Sequence, residues 1–387
     1  MKIVFISNIL SPHQIPLCDE WIKLGVKLSF IETANIDKES LPIGWKFTGT
    51  RDYLIDFTTY STQKELIRNL ILEADAVILG SAPKFLLEER LKRDKLTFIY
   101  SERIYKNFKD ILKWPYHILK FNKIYGHSNN LYLLCASAFS SADYQRIGCF
   151  KNKAFKWGYF TNVEEFNFEA SYVSKQGNIA HLMWCARFLA LKHPELPVKM
   201  AYRLKNKGYN FTLDMFGSGE ELEKTISLSQ SLGLQDIVSF KGNLPNAEIL
   251  QKMRKHDIFL FTSDRNEGWG AVANEAMSNG CVLVGSSSIG SVPFLIEDGI
   301  NGCIFQTESI NSLTATVEWL FNHPKERKVL ALNAYNTMRN LWSPKQAAER
   351  FLYLVDCLSL GKKPPFSSGP CSEASPLSNK WYKNRNK

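Results

Sequence analysis

The stretch DIFLFTSDRNEGWGAVANEAMSNGCVLVGSS, residues 257–287, decides the fold. It begins with a short apolar run, DIFLFTS, crosses a polar turn, DRNEGWG, and continues as AVANEAMSNG with apolar residues at helical spacing. It then returns to a second apolar run, CVLVGSS. Both runs are strand-length and apolar on both faces, as strands buried inside a parallel sheet are. The segment between them closes at Asn279-Gly280, a common helix ending. A strand, a covering helix and a second buried strand form the repeating unit of a doubly wound sheet.

Working outward, the same alternation fills both halves of the 387-residue chain. In the first half KIVFIS (2–7), KLSFIET (27–33), DAVILGS (75–81), LTFIYSE (96–102), YLLCAS (132–137) and AFKWGYF (154–160) read as strands. PLCDEWIKLG (16–25), STQKELIRNLILEA (61–74) and KFLLEERLKRD (84–94) read as helices. The pattern restarts at NIAHLMWCA (178–186) and runs through FTLDMFG (211–217) and IVSFKG (237–242), with amphipathic stretches between. We therefore expect an α/β protein of two Rossmann-like doubly wound domains. Residues 1–162 form the first, 163–177 a linker without sustained periodicity, and 178–342 the second. The stretch SPKQAAERFLYLVDCL reads as a final helix over 343–360, and 361–387, rich in Pro, Ser, Lys and Asn, as a flexible basic tail. Ligands of such sheets bind beyond the carboxyl ends of the strands, so a deep inter-domain cleft is the expected site.

Composition narrows the function classes. Eight cysteines are scattered without a CxxC pair or a Cys/His cluster, which argues against a disulfide framework or a zinc site. No apolar run approaches the roughly 20 residues of a membrane-spanning helix, and no secretory leader is legible, so a cytoplasmic location is the default expectation. The net charge of +10 draws polyanions in general. Without a nucleic-acid-binding signature beside it, no nucleic-acid partner is expected.

The chemistry candidates lie in the turns. Glu267 and Glu275 flank a Gly268-Trp269-Gly270-Ala271 turn, with no basic residue between them. Glycines there let backbone approach a ligand, and free N–H groups at a helix start favour anions or hydroxyl oxygens. Carboxylates accept hydrogen bonds from vicinal hydroxyls. The alternative is a pair of acids placed to complement a helix dipole. A metal site is disfavoured because no His accompanies the acids in that stretch and no Asp-x-Asp occurs. Upstream, Arg187 and Lys192 follow the first strand of the second half, where two cations suit a diphosphate. Gly217-Ser218-Gly219 also follows a strand, but Leu222 occupies the third glycine position of a dinucleotide fingerprint, which disfavours a nicotinamide enzyme.

Taken in order, these pieces resemble the C-terminal domain of retaining glycosyltransferases of the GT-B fold, family 4 (glycosyl transferases group 1). The resemblance rests on Arg187 and Lys192, MFGSGEE (215–221), VSFKG (238–242), EGWGAVANE (267–275) and GSVPFLIEDGINGCIF (290–305), and covers residues 178–345. It implies a metal-independent, cofactor-free hexosyltransferase moving sugar from a nucleotide-diphosphate sugar to a saccharide or lipid-linked acceptor, in envelope, capsular or exopolysaccharide synthesis. Arg187, Lys192 and Glu267 would be catalytic. Glu275, Gly268, Trp269, Gly270, Ala271, Gly217 and Phe240 would bind the donor.

The chain departs from that family in its first loop, SNILSPHQIP, which has no glycine. His13 in that loop, and Glu102 and Arg103 in FIYSERIYK, are the candidates for orienting an acceptor, a helix-start role being the alternative for His13. The stretch 103–126 interleaves lysines with aromatics and reads either as an anionic-membrane surface, peripheral on the inner face, or as a helix pair with a solvated lysine face. Two other functions remain open: a nucleotide-sugar epimerase or hydrolase on the same fold, and a non-catalytic nucleotide-sugar-binding protein.

Overall fold

A computed structural model describes residues 1–36, 49–106, 110, 112–125, 128–173, 175 and 179–385. The chain forms two compact units, Met1–Asn162 with Trp342–Ser378, and Val163–Leu341 with Asn379–Lys387. Each is built on one parallel sheet, and the fold is GT-B.

The sheet of the first unit contains β1 (Lys2–Ser7), β2 (Lys27–Glu32), β3 (Leu54–Ile55), β4 (Ala76–Leu79), β5 (Thr97–Ser101), β6 (Leu131–Cys135) and β7 (Ala154–Lys156). Their order is β3-β2-β1-β4-β5-β6-β7. The central strand β4, AVIL, is buried throughout, which explains why it carries no polar alternation. Arg90, on the helix Glu88–Lys92, is fully buried, and its guanidinium donates to the carbonyls of Ile71, Ala74, Asp75 and Leu96. The helix Pro344–Ser359 packs here through Phe351, whose ring lies 5.2 Å from Trp21 and 5.1 Å from Phe98.

The second unit holds β8 (Ala180–Cys185), β9 (Phe211–Phe216), β10 (Val238–Gly242), β11 (Ile258–Phe261), β12 (Val282–Ser286) and β13 (Cys303–Phe305), in the order β10-β9-β8-β11-β12-β13. In both sheets the strand order reverses beside the first strand, between β1 and β4 and between β8 and β11. Loops leaving those strands diverge and open a crevice at the carboxyl ends. That topology fixes where each unit can hold a ligand.

Two expectations from composition are corrected. Within the supposed linker, Phe168–Val173 is a helix whose Phe168 and Tyr172 are buried in the core of the second unit, so this segment is part of that unit. The supposed mobile tail is largely docked. Cys371 N donates to Lys156 O at 2.8 Å, Lys156 N to Ser372 O at 2.7 Å and Ala374 N to Ala154 O at 2.9 Å, forming a short antiparallel strip against β7. Cys371 and Ala374 are buried there. Composition missed this because the stabilising partner is the backbone of an edge strand, which asks little of side-chain identity. Further on, Trp381 Nε1 donates to Ser287 O at 2.9 Å and Tyr382 OH to Ile304 O at 2.6 Å, within the second unit.

Candidate functional site

The loops after β8 and β11 meet at the reversal point of the second sheet. After β8 the chain alternates, Phe188 pointing into the core against Trp184 at 4.7 Å and Arg187 remaining exposed. Arg187 makes no side-chain hydrogen bond or ion pair among the described residues. The Gly217-Ser218-Gly219 turn clamps this loop from behind. Phe188 N donates to Ser218 O at 2.8 Å and Glu221 N to Phe188 O at 3.0 Å. A Cβ on Gly217 would lie 1.9 Å from Ala186 O, so only glycine permits this approach. Gly217 therefore supports the Arg187 loop.

The second loop is stitched to the first. Asp264 N donates to Leu191 O at 2.9 Å, and Thr262 Oγ1 donates to Lys192 O at 2.7 Å while accepting from Trp184 Nε1 at 3.0 Å. Across this seam Lys192 Nζ pairs with Glu267 Oε2, their side chains only 14% and 13% exposed. Ser263 Oγ donates to the same carboxylate oxygen at 2.9 Å. The stretch with no basic residue of its own thus receives one from the preceding crossover. A pair this sheltered is costly to break, because removing one member leaves the other uncompensated.

Behind Glu267 the turn is fixed by its core contacts. The Trp269 ring is fully buried, Nε1 donating to Asn274 Oδ1 at 2.8 Å, and Ser291 Oγ donates to Trp269 O at 2.6 Å. Gly270 has φ +77°, and a Cβ there would lie 2.3 Å from Phe261 Cζ. Among the described residues the N–H groups of Gly268, Gly270 and Ala271 find no partner. Trp269 is thus an anchor that presents this backbone. On the helix Val272–Ser278, Glu275 accepts from Asn246 Nδ2 at 2.9 Å, and burial pushes its carboxyl up against the opposing pull of that donor. Cys185, at the end of β8, is pushed up to about 12 by burial and by the charge of Glu275, with Lys192 pulling the other way. Phe240, half-buried on β10, packs against Phe188 at 6.2 Å between ring centres.

In the first unit a cavity of about 550 Å³ occupies the equivalent reversal point, with Asn8, Gln14 and Ser81 among the residues at its walls. Tyr159 OH donates to Glu102 Oε1 at 2.7 Å and Lys106 Nζ to Glu102 Oε2 at 2.8 Å. The His13 ring stacks on Tyr159 at 5.3 Å, and burial lowers it to about 4, so it is neutral at physiological pH. Glu102 and His13 are thus joined through Tyr159, which the sequence reading did not single out. Arg103 also lines this cavity, its side chain 1% exposed and its guanidinium 3.5 Å from Asp143 and over the Phe139 ring.

One group among the described residues has metal-ligand geometry. His193, Asp264 and Glu308 offer ligand atoms within 4.8 Å of one another. His193 is pushed up to about 10, by Asp264 first and Glu195 second. In this structure the imidazole lies between Glu195 Oε1 at 3.0 Å and Asp264 Oδ2 at 3.6 Å, tying the two loops by charge.

Residues 174–337 match the profile of glycosyl transferases group 1. The match covers less than half of the chain. The group 1 segment coincides with the unit that holds the paired loops. Curated relatives include a poly(glycerol-phosphate) alpha-glucosyltransferase of Bacillus subtilis, 28% identical over 152 residues, 39% of this chain and 20% of that one. A UDP-N-acetylglucosamine–peptide N-acetylglucosaminyltransferase GtfA subunit of Streptococcus gordonii is 27% identical over 129 residues, 33% of this chain and 22% of that one. The chain therefore aligns with about a fifth of the length of these relatives. Anabaena HepE, solved in complex with UDP, superposes with a TM-score of 0.67 at 16% identity, covering 92% of this chain and all of that one. Sucrose-phosphate synthase from Thermosynechococcus elongatus gives 0.65 at 13%, covering 94% of this chain and 100% of that one. At such identities the likeness is one of fold.

Proposed function

We propose that the protein is a retaining glycosyltransferase that moves a hexosyl group from a nucleotide-diphosphate sugar to a saccharide or lipid-linked saccharide acceptor. The observation that carries this reading is the Lys192–Glu267 pair, with Arg187 exposed on the same loop as Lys192, at the reversal point of a group 1 domain.

Cleavage of the anomeric C–O bond leaves positive charge on the sugar and negative charge on the diphosphate. Arg187 and Lys192 would stabilise that departing charge more than the ground state, which is the requirement for catalysis. Two cations of the protein at this position make a metal unnecessary. Glu267, already oriented by Ser263 and Lys192, would accept from donor-sugar hydroxyls. Glu275, steadied by Asn246, would accept from the ribose. The free N–H groups of Gly268, Gly270 and Ala271 would meet the sugar or its phosphate, and Phe240 would lie beside the base. Retention follows if the acceptor attacks from the face the phosphate leaves, with a phosphate oxygen taking the acceptor proton.

For the acceptor, the Glu102, Lys106 and Tyr159 group offers both acceptors and donors to hydroxyls, in a cavity of ligand size. A lipid-linked acceptor would bring the enzyme to the inner face of the cytoplasmic membrane. The named relative that glucosylates poly(glycerol phosphate) supports a role in envelope or exopolysaccharide synthesis.

A thermal-shift panel of UDP, GDP, ADP and their sugars tests the reading. A cognate ligand at 100 times its dissociation constant adds about 2.7 kcal/mol of stability. Absence of any shift across the panel removes the donor site, and donor turnover undiminished without acceptor would favour a hydrolase or epimerase.

A further inference from the structure

The helix Trp114–Tyr125 of the first unit is held by one face only. Phe121 and Tyr125 are buried, Phe121 standing edge-on to Tyr144 at 5.9 Å and Tyr125 packing on Phe150 at 5.5 Å. Lys84 Nζ lies 3.7 Å from the centre of the Phe121 ring, and His117 Nδ1 is 3.2 Å from Tyr105 OH. The other face meets solvent with large apolar groups. Leu112, in the turn before the helix, is 66% exposed, Tyr116 60% and Leu119 75%. Tyr116 and Leu119, at i and i+3, share one face of the helix, and Leu112 precedes them in the turn. Lys113 and Lys120 are exposed beside it, Lys120 reaching over the Tyr116 ring. The chain has no acidic residue between Asp110 and Asp143.

A single exposed leucine carries no message, but exposed leucine and tyrosine bordered by ammonium groups, with Asp110 paired to Lys113 at 3.4 Å, form the pattern of a helix lying at a bilayer interface. Leucine enters the acyl boundary, tyrosine suits the headgroup level and lysine meets lipid phosphate. We infer that the exposed face formed by Leu112, Tyr116 and Leu119 with Lys113 and Lys120 docks on an anionic lipid bilayer. A second copy of the chain is a poor occupant, because its lysines would face their own equivalents. His117 on the same helix is held below its usual range by burial first and then by Lys120, Lys113 and Lys84, with Asp110 opposing. The inference does not depend on the proposed donor chemistry.

Sedimentation of the full chain with vesicles of phosphatidylglycerol or of phosphatidylcholine, at low and high salt, tests it. The protein should pellet with phosphatidylglycerol at low salt and be released by high salt. Lys113→Gln with Lys120→Gln should weaken binding on the order of 25-fold, from about 1 kcal/mol per lysine. Leu119→Asp should abolish pelleting while leaving the nucleotide-dependent thermal shift intact, which separates this inference from the donor reading. Wild-type protein that stays in the supernatant with phosphatidylglycerol overturns it, as does a Leu119→Asp variant that pellets normally. Concentration-dependent self-association lost in Leu119→Asp would assign the face to a second copy and overturn it equally.

Discussion

Lys192 and Glu267, 75 residues apart in sequence, close an ion pair across the seam between the two loops of the reversal point. Each therefore orients the other before any ligand arrives. Lys192→Ala should lower turnover on the order of 10²–10³, the range for losing one preorganised charge-stabilising group. Because the residues touch, Lys192→Ala with Glu267→Gln should cost less than the sum of the single losses, by roughly 0.5–3 kcal/mol. Steady-state kinetics of the four proteins measure this, and strict additivity would show that the pair is not coupled in function.

His193 ties the same two loops together by charge. Its ring faces Asp264 at 3.6 Å and Glu195 at 3.0 Å. Its folded pKa, about 10, exceeds the ordinary value of 6.5. Such a group stabilises fully below its unfolded pKa and loses that contribution as pH rises through its folded one. Burial works against ionisation of Asp264 and Glu195, yet hydrogen bonds, His193's first among them, hold both below the usual carboxylate range. Their contribution falls away in acid. The stability difference between wild type and His193→Gln should thus be largest in mildly acidic solution and shrink from about pH 6.5 toward 10. Denaturant midpoints across pH read it directly, and a difference that grows with alkalinity contradicts the assignment.

Gly217 and Gly233 make a matched comparison. Both have positive φ, but a Cβ on Gly217 strikes Ala186 O at 1.9 Å whereas one on Gly233 meets nothing within 4 Å. Gly233→Ala should cost only backbone strain, about 1–2 kcal/mol. Gly217→Ala should cost more and also reduce turnover, since the backbone it displaces carries Arg187. Equal losses in urea unfolding would remove the clamp from the explanation.

Arg90 supplies a test of the first unit. Burial lowers its guanidinium to about 10, so it remains charged at neutral pH, satisfying four carbonyls with donors set in a planar fork. A lysine offers three donors in a different geometry. Arg90→Lys should therefore destabilise by at least about 1–3 kcal/mol, the penalty of leaving buried acceptors unpaired. An unchanged urea midpoint would mean that water fills the gap.

What could be read beforehand follows from physical range. The strands that carry both sites declare themselves by local apolar runs, and DIFLFTS and CVLVGSS are where the sequence places them. Lys192 and Glu267, which the structure pairs, were legible because each sits in a loop just past a strand end. Their partners were not. Ser263, Asn246 and Asp264 look like ordinary loop and helix-end residues until tertiary packing brings them to a carboxylate or an imidazole. Tyr159 was hidden inside a strand pattern, and its place between Glu102 and His13 appears only on folding. The partner of Arg103 was hidden for the same reason, since Asp143 lies 40 residues further on. Lys109 and Phe108, part of the basic aromatic stretch, lie outside the described residues.

The strip at residues 371–374 has a practical consequence for anyone preparing this protein. It occupies hydrogen-bonding positions along β7 that would otherwise be open to strands from neighbouring molecules. Shortening the carboxyl terminus to remove an apparently dispensable extension would uncover that border and invite oligomerisation, whereas a purification tag at the amino terminus leaves it protected.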